Sequence, residues 1–529
     1  MAVNNGLLYK NTWETTIESP IEVAIKKRKS HSKIGTTTAL SFQLMTRAEP
    51  PELVIATIQS LLAIKEPDDE IIIIDNNNTE TSLYQPLAAF CASLDPERRV
   101  HFYHIDAVEG FKAGALNLAL GLMNPDCTHL VVVDSDYQAL PHARVSIANA
   151  IKRYPEHALL QFPQFYRNAG QVDARSELNH YFNHHLYRPF NRDHALSTGT
   201  YAVIRRSDLL SLGGWSGASI TEDAQMGVLM HNSGLRSTFV PQVIATGLLP
   251  NNLNDLMSQR RRWIYGNMQV LNDYVSLPHF FQTPSATNDK TIGARLTYIR
   301  AHLSQLSAWI NFTGFFIFLQ ICALLVIGIA ILNVNFDTSL LAPLYLVYGS
   351  YAVFLIRRLW AYFQDQTPLN RQVDTNHQPS AGAKLRAWLM HVNFWELGAL
   401  SWLPVLWGRQ KPFICTPKQK YIQTRRSLQM ANIAALPKLL FIINLITALV
   451  VAPFSPFYSP VLFVCAIAVC LLKLGAAKVA IDNFASTEQK VPNISTKSRP
   501  AITIVHKQVN PIKTSEITAV FKDKKTINS

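Results

Sequence analysis

Charge is scarce in this 529-residue chain. Asp, Glu, Lys and Arg make up 16% of it, where soluble domains carry about a quarter. Apolar residues make up 48%, and the combination excludes a plain soluble protein. The acidic sign is the scarcer one: Lys and Arg number 49 against 36 Asp and Glu, a net charge of +13. That excludes an acidic disordered chain and leaves nucleic acid, anionic lipid or a phosphate-bearing substrate as partners. Cysteine is rare, with six residues and neither a C-x-x-C pair nor a zinc spacing. The six read as small buried hydrophobes in a reducing compartment. A signal peptide is missing from residues 1–35, which hold a basic run at Lys26-Lys27-Arg28-Lys29. The first folded domain is therefore expected in the cytosol.

What is present is unevenly spread. Residues 36–280 alternate short β-branched runs with helical patterns, which predicts an α/β domain. Strands are expected at 38–46, 70–74, 100–104 and 129–133, and helices at 50–64 and 113–123. Two of these strands end in acids, Asp75 and Asp134-Ser135-Asp136. Ligands of open α/β sheets bind at the carboxyl ends of strands, so both acids fall where chemistry is expected.

Beyond a linking region at 281–307, expected to hold an interfacial helix, the chain turns apolar over 308–476. Runs at 308–332, 339–356, 436–454 and 459–472 predict about four transmembrane helices. The loops 333–338 and 455–458 contain no Lys or Arg, whereas 357–386 and 409–426 are basic. The first pair should face outward and the second the cytosol. The Trp-rich stretch 387–408, flanked by basic segments, is expected to be an interfacial helix. His391 and Glu396 would lie on its polar side and its tryptophans at headgroup level. A basic cytosolic tail is expected at 477–529.

Several constellations carry chemistry. Asp134 and Asp136 are two oxygen donors one residue apart, able to hold Mg²⁺ or Mn²⁺ against a diphosphate. A plain turn or cap would use the same acids, and the buried strand end favours the site. Thr221-Glu222-Asp223 opens a helical run; its acids suit either a first turn or a general base that takes a proton from a sugar hydroxyl. In Gln259-Arg260-Arg261-Arg262-Trp263, an arginine can offset charge on a leaving diphosphate and Trp263 can stack on a sugar. Around Lys112, small residues let backbone approach a phosphate. The segment is not a P-loop, because the G-K-[ST] ending is missing.

Taken in order, these elements resemble the processive family 2 glycosyltransferases of GT-A fold, such as the catalytic chains of bacterial cellulose synthases and other β-glycan synthases. The family's T-Y-N-E-P element is matched by Thr46-Arg47-Ala48-Glu49-Pro50, without its Tyr and Asn. Its D-D pair is Asp75-Asn76. K-A-G-A-L-N is intact at Lys112–Asn117, D-x-D is Asp134 and Asp136, and T-E-D is Thr221–Asp223. Q-x-x-R-W is Gln259, Arg262 and Trp263. A Q-x-P-Q-like strand is echoed by Gln161 to Gln164. The gating loop F-x-V-T-x-K is matched by Phe413-Ile414-Cys415-Thr416-Pro417-Lys418, within 412–420. The R-x-x-x-R signature of a PilZ domain is missing from the tail.

The resemblance implies a membrane-bound inverting hexosyltransferase that moves sugar from a nucleotide-diphosphate donor, UDP-glucose by default, to the end of a β-glycan, with export as a further step. It implies Asp223, Glu222 and Arg262 as catalytic residues. Thr46, Glu49, Asp75, Lys112, Asp134, Phe413, Thr416 and Lys418 would bind the nucleotide donor. Gln259 and Trp263 would bind the acceptor, and Asp136 with Asp134 the metal. The implied partners are donor, glycan acceptor and lipid bilayer, with export partners or a second copy of the chain left open. Nucleic acid is not among them. The implied place is the inner (plasma) membrane, with several passes. Alternatives are a lipid- or short-acceptor glycosyltransferase, a mannan-type synthase using GDP-mannose, and a non-catalytic membrane scaffold.

Overall fold

The computed structural model describes residues 38–484 apart from 77–79, 106–107, 168–171, 188–193, 218, 251, 276–291, 365–379 and 409–424. The amino-terminal half opens with β1 (Leu40–Thr46), α1 (Pro51–Leu62), β2 (Glu70–Asp75), α2 (Thr81–Ala92), β3 (Val100–His104), α3 (Phe111–Leu122) and β4 (His129–Asp134). There follow β5 (Gln138–Ala139), α4 (Ala143–Arg153), β6 (His157–Gln161), α5 (Val172–His180) and a π-helical turn at Tyr181–Tyr187. Then come β7 (Ala202–Arg205), α6 (Arg206–Ser211), α7 (Glu222–Asn232), β8 (Arg236–Phe239), β9 (Ala245–Thr246) and the long α8 (Leu253–Val275).

Seven strands form one mixed sheet in the order β3-β2-β1-β4-β7-β6-β8. The run Ile71-Ile72-Ile73-Ile74 shows why its middle is parallel. All four side chains are buried. Ile71 and Ile73 pack on one face with Phe42 and Val131, while Ile72 and Ile74 pack on the other with Leu130 and Val132. A strand covered on both faces reads as continuously apolar. β1 pairs in parallel with β2 on one side and β4 on the other. The chain order therefore reverses at β1, and a crevice opens beyond its carboxyl end.

The second half comprises α9 (Ile292–Leu306), α10 (Phe312–Leu332), α11 (Ala342–Gln364), α12 (Ala381–Ser401), α13 (Leu403–Leu406), α14 (Arg425–Ala435), α15 (Leu439–Val450) and α16 (Pro460–Asn483). Among the described residues three helices are long and apolar enough to cross a membrane: α10, α11 with its lead-in from Thr338, and α16. The expected span 436–454 differs. α15 has only 12 residues, about 18 Å at 1.5 Å per residue, and it meets α14 at a 70° bend. It crosses only if the bent pair counts as one span. The last apolar helix, α16, runs on to Asn483, beyond the expected end near Lys473, because Lys473 Nζ is matched inside the protein by Glu396 Oε2 at 2.6 Å and Asn393 Oδ1 at 2.7 Å.

The stretch 387–408 also departs from expectation. Trp388, Trp395, His391 and Glu396 are buried within the protein, not spread over a polar side and a headgroup layer. Only Trp407 of its tryptophans is prominently exposed. The reason is that α12 sits at the centre, packed on α5, α8, α10, α11 and α16. One apolar cluster joins the two halves, from Phe165, Leu178 and Ile264 to Trp309, Met390, Phe394, Val479 and Phe484.

Candidate active site

A cleft of about 1450 Å³, counted to its open mouth, lies at the carboxyl edge of the sheet. The parallel register puts Thr46 beside Asp75 and Met45 beside Asp134. Past the end of β4 the chain is held tightly. The Asp134 N–H donates to Thr200 Oγ1 at 3.0 Å, and Thr57 Oγ1 donates to the Ser135 carbonyl at 2.7 Å. Asp136 Oδ2 accepts from the Leu248 N–H at 3.1 Å, while its carbonyl accepts from Arg167 at 2.7 Å. Lys112, from α3, sets its Nζ 2.7 Å from Asp134 Oδ1 and 3.6 Å from Glu222 Oε1. Burial works against this ammonium, but the Asp134 and Glu222 carboxylates outweigh it and hold its pKa above the usual lysine value.

Across the cleft, α7 begins with Glu222 and Asp223. Thr221 makes no capping bond; its hydroxyl lies 3.1 Å from Ser219 Oγ. Burial and the neighbouring Glu222 carboxylate push the Asp223 carboxyl up to about 7, against the pull of Lys112. Gly199 makes this closeness feasible. Its φ is +91°, and a Cβ there would stand 3.2 Å from Asp223 Oδ2 and 3.7 Å from Lys112 Nζ. Gln161 and Gln164 brace the same loop. Gln161 Nε2 donates to the Thr200 carbonyl at 2.9 Å, and Gln164 Nε2 to the Thr198 carbonyl at 2.6 Å.

On the opposite side, Thr46, Arg47, Glu49 and Asn76 line the cleft. The Arg47 N–H donates to Glu49 Oε2 at 2.5 Å. Between them Ala48 holds φ +62°, a left-handed conformation costing an alanine about 1–2 kcal/mol. Asp75 stands behind this wall, fully buried. One oxygen accepts from Thr46 Oγ1 at 2.9 Å and the other lies 2.7 Å from His104 Nδ1, on whose ring Tyr84 stacks. From α8, Gln259, Arg262 and Trp263 reach the cleft. Phe413, Thr416 and Lys418 lie outside the described residues.

The structure thus brings Thr46, Glu49, Lys112, Asp134, Asp136, Glu222, Asp223, Gln259, Arg262 and Trp263 around one cavity, with Asp75 one layer behind. Sequence reasoning missed Arg47, Tyr137, Tyr166, Thr198 and Gly199, which also line it. The small-residue cluster Ser197-Thr198-Gly199-Thr200, just before a short strand, was the available signal.

Residues 44–213 match the family described as glycosyl transferase family 2, and residues 129–356 match glycosyl transferase family group 2. The UDP-forming catalytic chain of a cellulose synthase from Dictyostelium discoideum is 31% identical over 170 residues, covering 30% of this chain and 16% of that protein. A poly-beta-1,6-N-acetyl-D-glucosamine synthase of Staphylococcus epidermidis is 22% identical over 260 residues, 48% of this chain and 60% of the other. The chain spans less than two thirds of the length of these relatives. Among solved structures, a mannosyltransferase from Pyrobaculum calidifontis in complex with GDP-Man and Mn²⁺ aligns with a TM-score of 0.42 and 15% identity. It covers 73% of this chain and 94% of that one.

Proposed function

We propose, from the premise that this chain contains a family 2 glycosyltransferase domain, that it is a membrane-bound inverting hexosyltransferase. The donor is a nucleotide-diphosphate sugar, UDP-glucose first, and the acceptor is the end of a β-glycan. The observation that carries this reading is the gathering of Lys112, Asp134, Asp136, Glu222, Asp223, Gln259, Arg262 and Trp263 around one cleft at the strand-order reversal.

In this reading the nucleoside lies along Thr46, Arg47, Glu49 and Asn76, with Asp75 holding Thr46 and His104 in place behind them. The diphosphate lies at Lys112 and Asp134. Asp223 accepts the proton of an acceptor hydroxyl as its oxygen bonds to the anomeric carbon and the bond to the diphosphate breaks, which inverts the configuration. Glu222, beside it, keeps that carboxyl basic enough for the task. Arg262 meets the negative charge gathering on the departing diphosphate. Gln259 and Trp263 receive the acceptor sugar, and Phe413, Thr416 and Lys418 close over the donor. Asp134 and Asp136 suit Mg²⁺ or Mn²⁺: both are hard oxygen donors, and among the described residues no third His, Cys, Asp or Glu completes a cluster. Phosphate and water oxygens would fill the remaining shell, as Mg²⁺ prefers. When bound, the ion supplies positive charge to the diphosphate. The membrane placement is supported by α10, α11 and α16.

The test is a donor screen on membranes carrying the full chain, with linkage analysis of the product. Asp223→Asn should lower transfer by about 10²–10⁴-fold, the usual weight of a general base, while UDP still binds. An active Asp223→Asn chain would sink the assignment.

A further inference from the structure

The three consecutive arginines before Trp263 part company in the fold. Arg262 lines the cleft and Arg261 is exposed, but Arg260 is fully buried. A buried guanidinium is costly unless it is paired and hydrogen-bonded. Here Nη2 donates to Glu177 Oε2 at 2.8 Å, and Glu177 is itself fully buried on α5. Burial pushes the Glu177 carboxyl up, but the Arg260 charge outweighs it and holds the pKa down to about 2. The pair therefore stays ionised across any working pH.

The other contacts of Arg260 point toward the cleft. Nη1 donates to Gln259 Oε1 at 2.9 Å, and Tyr166 Oη donates to the same oxygen at 3.4 Å. With the amide oxygen engaged by two donors, the flip state of Gln259 is fixed and its NH₂ group is the end left to donate elsewhere. The guanidinium carbon also lies 4.3 Å from the centre of the Trp263 ring, and Phe394 of α12 lies on the same charge at 5.5 Å. A cation stacked on an indole fixes the plane of that ring. One group thus sets both side chains that the functional reading gives to the acceptor.

We propose that Arg260 is the positioning residue of the acceptor subsite: anchored by Glu177, it presents the Gln259 amide as a hydrogen-bond donor to a sugar oxygen and orients the Trp263 ring, and it does not serve the donor diphosphate. The inference rests on the functional reading above. It makes the orientation of the acceptor a property of the seam between α5, α8 and α12, because Glu177 Oε1 also lies 3.3 Å from His391 Nε2.

The experiment uses membranes holding the full chain and UDP-glucose labelled in the sugar. It reads glucose incorporated into retained glycan, glucose released to water, and the KM for UDP-glucose. Arg260→Lys keeps a positive charge against Glu177 but loses the planar fork. It should lower incorporation about tenfold or more, as misplacement of a reactant does. The KM for UDP-glucose should stay within about twofold and release to water should persist, so the share of glucose passing to water rises. Arg261→Gln, one residue on, should change none of these. Should Arg260→Lys lose UDP binding altogether, Tyr166→Phe removes one of the two donors to Gln259 and a hydroxyl that faces Arg260, while the Arg260–Glu177 ion pair stays in place, and should shift the same ratio, less strongly. A raised KM for UDP-glucose with an unchanged ratio in Arg260→Lys overturns the inference and assigns the guanidinium to the donor. An unchanged ratio in both variants overturns it too. A wild-type chain that turns over neither UDP-glucose nor GDP-mannose overturns the functional reading, and the inference with it.

Discussion

At the scale of single residues, Asp223 sits between opposing charges. Burial and Glu222 raise its pKa to about 7 and Lys112 pulls it down. In the general-base role proposed for it, Asp223 must be unprotonated, so kcat/KM should rise with pH, reach half its plateau near 7 and stay level above. Glu222→Gln removes one of the charges that lift it, so the midpoint should move down; a midpoint that stays put in a pH–rate series would separate the two acids. The stability consequence runs the other way. The folded pKa lies above the unfolded value of about 3.9, so this carboxyl favours the fold below that value and loses the contribution as pH rises through about 7. Asp223→Asn should accordingly unfold at a higher temperature than the parent at about pH 8, with the gap closing toward about pH 4. Gly199→Ala tests the approach that makes the pair feasible. A Cβ at φ +91° is strained and meets Asp223 Oδ2 at 3.2 Å. It should cost about 1–3 kcal/mol in thermal unfolding and lower kcat by about tenfold, whereas Gly121→Ala, with open space around its Cβ, should do neither.

At the scale of elements, α12 and α16 are joined by a buried ion pair. Lys473 Nζ meets Glu396 Oε2 at 2.6 Å, and Glu396 Oε1 accepts from the Leu440 N–H at 2.8 Å, which brings in α15. Lys473→Met leaves Glu396 buried without its cation and should cost about 3–5 kcal/mol, read as detergent-resistant folded fraction on heating. Adding Glu396→Gln should recover most of the loss, and an additive double variant would refute the coupling. This pair also explains what could not be read from sequence. The strands were legible because apolar runs such as Ile71–Ile74 end in acids, and the expected 100–104 agrees with the observed Val100–His104. The role of α12 was not. Its tryptophans with His391 and Glu396 spell an interfacial helix when read alone, and only partners distant in sequence, Glu177, Leu440 and Lys473, convert them into a packed centre. The surroundings of Asp75 were equally illegible: its place at a strand end does not reveal that it is fully buried, with one oxygen accepting from Thr46 and the other against His104.

At the scale of the whole molecule, the motifs that form the cleft lie between residues 46 and 263, and their common location follows from parallel register, which a sequence pattern carries well. The helical half depends on which faces pack, which it carries poorly. The loops between α10 and α11 and between α15 and α16 share one end, since Phe336 meets Phe457 with ring centres 6.0 Å apart and Tyr345 Oη lies 2.6 Å from Ser459 Oγ. Single cysteines at Asn335→Cys and Ser455→Cys should therefore react together with a membrane-impermeant maleimide from outside intact cells, while Glu97→Cys on the amino-terminal half should react only after permeabilisation. Labelling of one loop without the other would break this topology. The apolar cluster that runs from Phe165 through Trp309 to Phe484 has a practical corollary for anyone dissecting the protein. Among the described residues there is no seam at which to cut: a shortened chain ending after α8 would bare the surface that Trp309, Met390 and Phe394 now cover, and would come out of solution as aggregate. The amino-terminal half and its greasy partner are best regarded as a single folding unit, to be purified, inhibited or redesigned together.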